Sequence, residues 1–545
     1  MQQYLKPFRL VVSIVMLVAV GFLFLDFSGS IPSAWYRGLT WLQFIPSLLN
    51  FKEMIVHGLA ITAYGFIVVL ILTLLFGRVY CSYICPLGIF QDVTGWFSKK
   101  VHNAGKKKFR LRFALPKTKL RYSILVIVCL SLFSRNIFLI NWLDPYSNFG
   151  RFVSDLLRPA YMLANNMLVG ILESFGSYAL YPVTVAKTDP YVLIIPVLML
   201  ALVVWLSVWK GRLYCNTVCP VGTLLGLVSK KSLYKIRFDA SACNQCGKCM
   251  FSCKSQCMDI KKMEVDFTRC VGCGNCMKSC DKNAVGYSIA LARKPKKEEK
   301  VDVSKRDFVA GSALAIATLS GLSIPAIAQP LSRRSQRRHR KRGINHENTL
   351  GKGTGNMEVL ANHVVTPPGS FSREHFTGNC TACHLCVSAC PTGVLKPSLF
   401  EYGFFGMMQP YMDFDANFCN FECTRCTEIC PNGAILPLTT EQKVITQIGI
   451  ARFEKENCVV YVDETACGSC SEHCPTHAVR MIPYKDELTI PEVTPEICIG
   501  CGACEYACPV SPYKAIVVDG HLTHQEAQKP KEEELETKPL EDFPF

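Results

Sequence analysis

Thirty cysteines stand in this sequence, most of them in short repeated spacings. The pattern C-x2-C-x2-C-x3-C occurs at Cys243, Cys246, Cys249 and Cys253 and again at Cys270, Cys273, Cys276 and Cys280. It returns at Cys380, Cys383, Cys386 and Cys390 and at Cys498, Cys501, Cys504 and Cys508. Two looser sets lie between these, Cys419, Cys423, Cys426 and Cys430, then Cys458, Cys467, Cys470 and Cys474. A cubane [4Fe–4S] cluster needs four thiolates converging on one point, three from a tight loop and the fourth from farther along the chain. Six sets therefore suit about six clusters. In two-cluster folds the fourth cysteine serves the other cluster, so Cys280 is expected to complete the first site and Cys253 the second. Zinc ribbons space their ligand pairs more widely and lack the x3-C tail. A disulfide framework belongs to short secreted chains.

The four sets after residue 380 each end in Cys-Pro, at Pro391, Pro431, Pro475 and Pro509, whereas Lys254 and Asp281 follow the last cysteines of the earlier two. The spacing leaves the pairing of the later sets open: neighbours interlock, or the first pairs with the last and the inner two together. Cys380-Thr-Ala-Cys383-His384 also satisfies the c-type haem signature, but haem would leave Cys386 and Cys390 without a role. A different motif appears twice, GRVYCSYICPLG at 77–88 and GRLYCNTVCPVG at 211–222. Cys81, Cys85, Cys215 and Cys219 in these copies are candidate ligands of a metal or a further cluster, candidate redox dithiols, or small buried residues at helix ends. Cys129 and Cys257 are left over and read as ordinary buried cysteines.

The elements that must position these residues are of two kinds. Half of the sequence is hydrophobic and 19% is charged, with a mean hydropathy of +0.21, a composition that points to lipid. Four stretches, 10–27, 57–76, 122–140 and 190–209, approach the ~20 apolar residues that a bilayer requires. Residues 161–183 read as interfacial or re-entrant. From Lys99 to Arg121 there are ten Lys/Arg and no Asp/Glu, which places this loop, and with it both C-x3-C-P motifs, on the cytoplasmic side. The net charge of +16 thus reflects membrane topology, and no nucleic-acid partner is expected.

Residues 294–342 change character. A charged linker leads to Ser304-Lys305-Arg306-Asp307-Phe308 and ~20 small apolar residues, similar to a twin-arginine export signal, with Ala326-Ile327-Ala328 as a possible cleavage site. The other reading is a fifth spanning anchor; either sends the rest of the chain across the membrane, although the basic run Arg333–Arg342 would then lie outside. The expected fold class is multidomain, an α-helical membrane bundle plus ferredoxin-like (α+β) poly-[4Fe–4S] domains. Its expected parts are a membrane domain (1–237), a two-cluster domain (238–290), a linker with the signal or anchor (291–345), a four-cluster domain (346–528) and a disordered acidic tail (529–545).

The first 290 residues, with four spans, two C-x3-C-P motifs and two four-cysteine sets, resemble NapH-type membrane ferredoxins. Residues 300–545 resemble NapG-type periplasmic ferredoxins, so the chain looks like the two fused. The resemblance implies quinol dehydrogenation in the inner membrane, with electrons passing through clusters to an extracytoplasmic terminal reductase. Asp144 and Arg151 are candidates for assisting proton release at a quinone pocket, or else interfacial charges in water. The rival expectations are a membrane ferredoxin reducing a metal or thiol during cofactor assembly, and a structural docking subunit of a reductase.

Overall fold

The computed structural model describes residues 4–26, 29, 31–57, 64–103, 111–185, 189–289 and 363–529. The export-like segment 304–328, the basic run after it and the tail from 530 lie outside the described residues. The chain forms two compact units, one drawn from 1–335, 374–411 and 425–436, the other from 336–373, 412–424 and 437–545.

The first unit opens with α1 (Leu5–Leu25), then α2 (Ser33–Thr40), α3 (Phe44–His57) and α4 (Gly65–Phe76). α1 has 21 residues, about 31 Å at 1.5 Å per residue, which matches a hydrocarbon core. Phe8, Val11, Val15, Val18 and Phe22 on α1 are exposed, while Val20, Leu23 and Phe24 are buried against neighbouring helices. The first C-x3-C-P copy forms the short α5 (Tyr80–Tyr83) and leads into α6 (Pro86–Asn103). Then come α7 (Thr118–Phe133), α8 (Phe138–Leu143), α9 (Pro145–Arg151), a π-helical segment Phe152–Leu157, and α10 (Arg158–Ser174). α11 (Pro190–Lys210) runs into the second copy, α12 (Leu213–Thr217) and α13 (Pro220–Ser229).

Two of these helices, α1 and α11, are long and apolar enough to cross a membrane by length and composition. The expected span 57–76 is seen as α4, its first part falling outside the described residues. The expected span 122–140 is not one helix. α7 stops at Phe133, where Arg135 takes a left-handed φ of 58°, Asn136 N–H bonds to the Ser131 carbonyl and Arg135 N–H to the Leu132 carbonyl. That is a Schellman stop, with arginine where glycine is usual. The 161–183 stretch is mainly helix α10, stopped the same way at Gly176 (φ 73°). Tyr161, Leu163, Met167, Leu168 and Ile171 on α10 are exposed.

After α13 comes a small α+β layer. Strand Tyr234–Phe238 pairs antiparallel with Val285–Ile289, and Met258–Asp259 pairs with Glu264–Val265. Single helical turns Lys248–Ser252 and Asn275–Lys278 follow the second cysteine of each set. The second unit repeats this plan: Thr446–Phe453 pairs with Ile516–Glu526 on the outside, and Val479–Lys485 with Leu488–Val493 inside. Both are built as ferredoxin-like modules, in which a minimal sheet brackets two cysteine loops.

Candidate metal centres

Each loop of the small α+β layer carries three cysteines to one point, and the fourth arrives from the other loop. Cys243, Cys246, Cys249 and Cys280 line one void. Cys253, Cys270, Cys273 and Cys276 line the next, the arrangement expected from the spacing. Cys257 is buried as expected, but it borders the second void with its sulfur 3.5 Å from that of Cys253. Cys129 is exposed on α7, correcting the expectation of burial. It lies on a helix face that turns away from its neighbours.

The loops converge because the residues on either side of the second cysteine adopt left-handed φ. These pairs are Gln245 and Gly247, Gly272 and Gly274, Ala382 and His384, and Gly500 and Gly502. Two left-handed residues fold C-x2-C-x2-C around a centre instead of along a helix. In the second unit Cys458, Cys467, Cys470 and Cys508 line one void, and Cys474, Cys498, Cys501 and Cys504 another. The third and fourth of these sets therefore interlock as neighbours. In the first unit Cys430 lies beside Cys380, Cys383 and Cys386. Of the remaining set, Cys426 belongs to the first unit and Cys419 and Cys423 to the second. Four thiol donors around each void are the donor set of a [4Fe–4S] cube, so these residues fit that group. Among the described residues no three Cys, His, Asp or Glu side chains converge tightly enough for a single metal ion.

The residues that follow Cys253 and Cys280 explain why proline is missing there. Lys254 Nζ reaches Asp92 at 3.2 Å and its carbonyl accepts from Arg212 N–H. Asp281 pairs with Lys248. Asp92, on α6, also binds Arg9 Nη1 at 3.0 Å and Arg212 Nε at 2.8 Å. Burial opposes its ionisation, but Arg212, Lys254 and Arg9 together hold its carboxyl well below the usual carboxylate range.

The two C-x3-C-P copies sit side by side in one core cluster, with Cys81, Cys85, Cys215 and Cys219 all buried. Their contacts are reciprocal. Arg78 Nη2 donates to the Cys215 carbonyl at 3.1 Å, and Arg212 Nη1 to the Cys81 carbonyl at 2.5 Å. A Cβ on Gly88 would collide with the Cys81 carbonyl, and one on Gly222 with that of Cys215. Arg78 Nη1 also donates to the Thr268 carbonyl at 2.9 Å and Ser82 Oγ to that of Val271 at 2.7 Å. The motif thus rests directly on the loop that carries Cys270. The two arginines were missed as site residues, although their repetition at the same place in both copies was a visible signal.

At the other end of α1 the same unit presents a different set of groups. Gly150 packs under the Cys383 carbonyl and Phe24. Arg425 Nη2 donates to the Gly29 and Ile31 carbonyls at 3.1 and 2.6 Å. His384 Nδ1 lies 2.8 Å from Asp155 Oδ1 and its Nε2 2.8 Å from the Met408 carbonyl. Both ring nitrogens are therefore engaged, and neither faces an iron as c-type haem would require. Asp144 and Arg151 are not interfacial charges in water; they are 1% and 2% exposed. Asp144 caps α9, accepting from Ser147 N–H at 2.8 Å and Ser147 Oγ at 2.7 Å, while Arg151 donates to Asn148 Oδ1 at 2.9 Å. The burial follows from α9 lying beneath Cys383, which sequence distance conceals.

Family comparisons agree with these sites. A 4Fe–4S binding domain profile matches residues 60–104 and 191–239, the two C-x3-C-P copies with the helices before them. Three 4Fe–4S dicluster domain profiles match 266–394, 379–435 and 465–511. The ferredoxin-type protein NapF of Escherichia coli K12 is 30% identical over 162 residues, 30% of this chain and 90% of NapF. The methylamine utilization ferredoxin-type protein MauM of Methylophilus methylotrophus is 33% identical over 167 residues, 27% of this chain and 67% of MauM. The ferredoxin-type protein NapG of E. coli K12 is 30% identical over 156 residues, 26% of this chain and 65% of NapG. No solved structure matches. The protein carries several [4Fe–4S]-binding domains and belongs to the ferredoxin-type Nap and Mau family of iron–sulfur electron-transfer proteins.

Proposed function

We propose that this chain conducts electrons across a membrane through six [4Fe–4S] clusters, taking them from quinol and delivering them to an extracytoplasmic reductase. In this reading it is a multi-pass inner-membrane protein combining a NapH-like half with a NapG-like half. One observation carries it. α1 is long enough to span a bilayer, its first turn (Lys6) lies beside Gly274 in the Cys270 loop, and Phe24 near its last turn lies beside Gly150 under Cys383. Two cysteine centres thus occupy opposite ends of one apolar helix.

The clusters supply one-electron transfer when bound. The thiolates of Cys243, Cys246, Cys249 and Cys280 hold one cluster, and those of Cys253, Cys270, Cys273 and Cys276 a second. Cys380, Cys383, Cys386 and Cys430 hold a third, and a fourth is expected from the spacing of the remaining set alone. Cys458, Cys467, Cys470 and Cys508 hold the fifth, and Cys474, Cys498, Cys501 and Cys504 the sixth. Buried neighbours such as Val271, Leu385 and Ile499 exclude water from these sites. Quinol oxidation also releases protons. Asp155 and His384, buried as a pair one residue from Cys383, are the groups to hold a proton beside the electron acceptor. Anaerobic titration of the purified protein with a short-chain quinol is expected to bleach the cluster absorbance. No bleaching with any quinol, in protein that dithionite does reduce, would remove quinol as the donor.

A further inference from the structure

Two donors on α9 find no acceptor among the described residues. Tyr146 is 1% exposed and its hydroxyl has no partner; Arg151 is 2% exposed and its Nη1 has none. A buried tyrosine hydroxyl ordinarily finds an acceptor, because burial has removed its bond to water. A buried guanidinium without a counter-charge is costlier still. Asp144 and Asp155 lie within electrostatic reach of Arg151, but Asp144 accepts from Ser147 and Asp155 is engaged by His384. Arg151 Nη2 donates to the Asn141 carbonyl and to Asn148 Oδ1. Nη1 is thus held in place with nothing in the protein to donate to.

The surroundings of both donors point to one centre. α8 and α9 pack against the backbone of the Cys380 loop. In the amide orientation that satisfies both of its ends, Asn141 donates to the Cys380 carbonyl at 3.1 Å, and Gly150 makes room for the Cys383 carbonyl. The thiols within electrostatic reach of Tyr146 are Cys383 and Cys430, and those of Cys380 and Cys383 are within reach of Arg151. The Tyr146 ring is fixed against Phe24, with centroids 5.9 Å apart. At the other end of α1 the cation beside Cys273 is different, because Lys254 is paired with Asp92.

We propose that Tyr146 Oη and Arg151 Nη1 donate hydrogen bonds to sulfur atoms of the cluster held by Cys380, Cys383, Cys386 and Cys430, and thereby raise its reduction potential. The proposal rests on the reading of those four cysteines as cluster ligands. A reduced cluster carries one more negative charge than an oxidised one, so donors to its sulfurs and a nearby cation stabilise the reduced form more. In the step concerned the centre gains one electron and its donor loses one; no covalent bond forms or breaks at Tyr146 or Arg151, and both keep their protons. A raised potential makes this centre the more easily reduced by a weak reductant such as quinol.

The test is a redox titration of the full-length protein in detergent, followed by the spectra of the reduced clusters, with iron and labile sulfide counted in every sample. Tyr146→Phe removes one oxygen atom. It is expected to keep all the iron and sulfide while the potential of one centre falls and the others stay. Arg151→Met is expected to lower the same centre further, and Arg151→Lys, which keeps the charge, to restore much of the shift. The centre that moves should be the one whose signal Cys430→Ser abolishes, and Cys129→Ser, on the exposed face of α7, should move none. An unmoved potential in either iron-replete variant would overturn that residue's role, and a shift confined to a different centre would overturn the proposal as a whole. Loss of iron from Tyr146→Phe would make the hydroxyl structural and overturn it as well; where Arg151→Met fails to load, Arg151→Lys and Tyr146→Phe decide. Full iron and unchanged signals in Cys430→Ser would overturn the assignment of the four cysteines to one cluster, a separate outcome.

Discussion

Cys253 has a neighbour that Cys280 lacks. The sulfurs of Cys253 and Cys257 are 3.5 Å apart, whereas the void around Cys243 has no fifth cysteine among its lining residues. Cys280→Ser is therefore expected to cost one cluster's iron and sulfide outright. Cys253→Ser should keep most of its iron, with Cys257 stepping in, and only the double variant Cys253→Ser/Cys257→Ser should lose it. Equal losses in the two single variants, by iron analysis, would contradict this assignment. A second residue-scale effect belongs to His524, whose ring lies 2.7 Å from Thr366 Oγ1. Burial, and then the nearby His521, pushes it down to about 4 from its usual 6.5. The folded state therefore disfavours the protonated ring. This contribution is fully favourable above pH 6.5 and is lost progressively as pH falls toward 4, by about 3 kcal/mol at most. Denaturant unfolding between pH 7 and 5 should show stability falling less in His524→Gln than in the parent; parallel curves would exclude the effect.

At the scale of elements, the contact between α9 and the Cys380 loop is set by Gly150, where a Cβ would strike the Cys383 carbonyl and approach Phe24 to 2.8 Å. Backbone cannot retreat as a flexible side chain would. Gly150→Ala is expected to destabilise the packing by about 1–3 kcal/mol, read as earlier loss of cluster absorbance on heating. An unchanged melting profile would show that the two elements are not held together there. How much of this was legible in the sequence varies by element. The C-x2-C-x2-C loops and their exchange of Cys253 and Cys280 follow from spacing, since three ligands in a turn leave the fourth to come from elsewhere. The duplicated motif was equally visible. The stop of α7 was not, because its left-handed position carries Arg135, a residue that signals no stop. Nor was the burial of Asp144 and Arg151, which depends on Cys383 more than 200 residues away folding back onto α9. The choice between neighbouring and outer pairing of the later sets needed three-dimensional contacts, since both satisfy the same spacing.

At the scale of the molecule, α1, α10 and α11 expose large apolar side chains that water would not favour, and the cysteine centres of the first unit lie at the two ends of α1. Under the proposed function, electrons pass between those ends. The most direct measurement reconstitutes the full chain into sealed vesicles enclosing a redox dye and adds dithionite, which does not cross lipid, to the outside. The expected result is that the trapped dye is reduced at a rate set by the amount of protein, and that protein stripped of its iron leaves the dye oxidised. A trapped dye that stays oxidised, in vesicles shown to hold cluster-loaded protein, would contradict it.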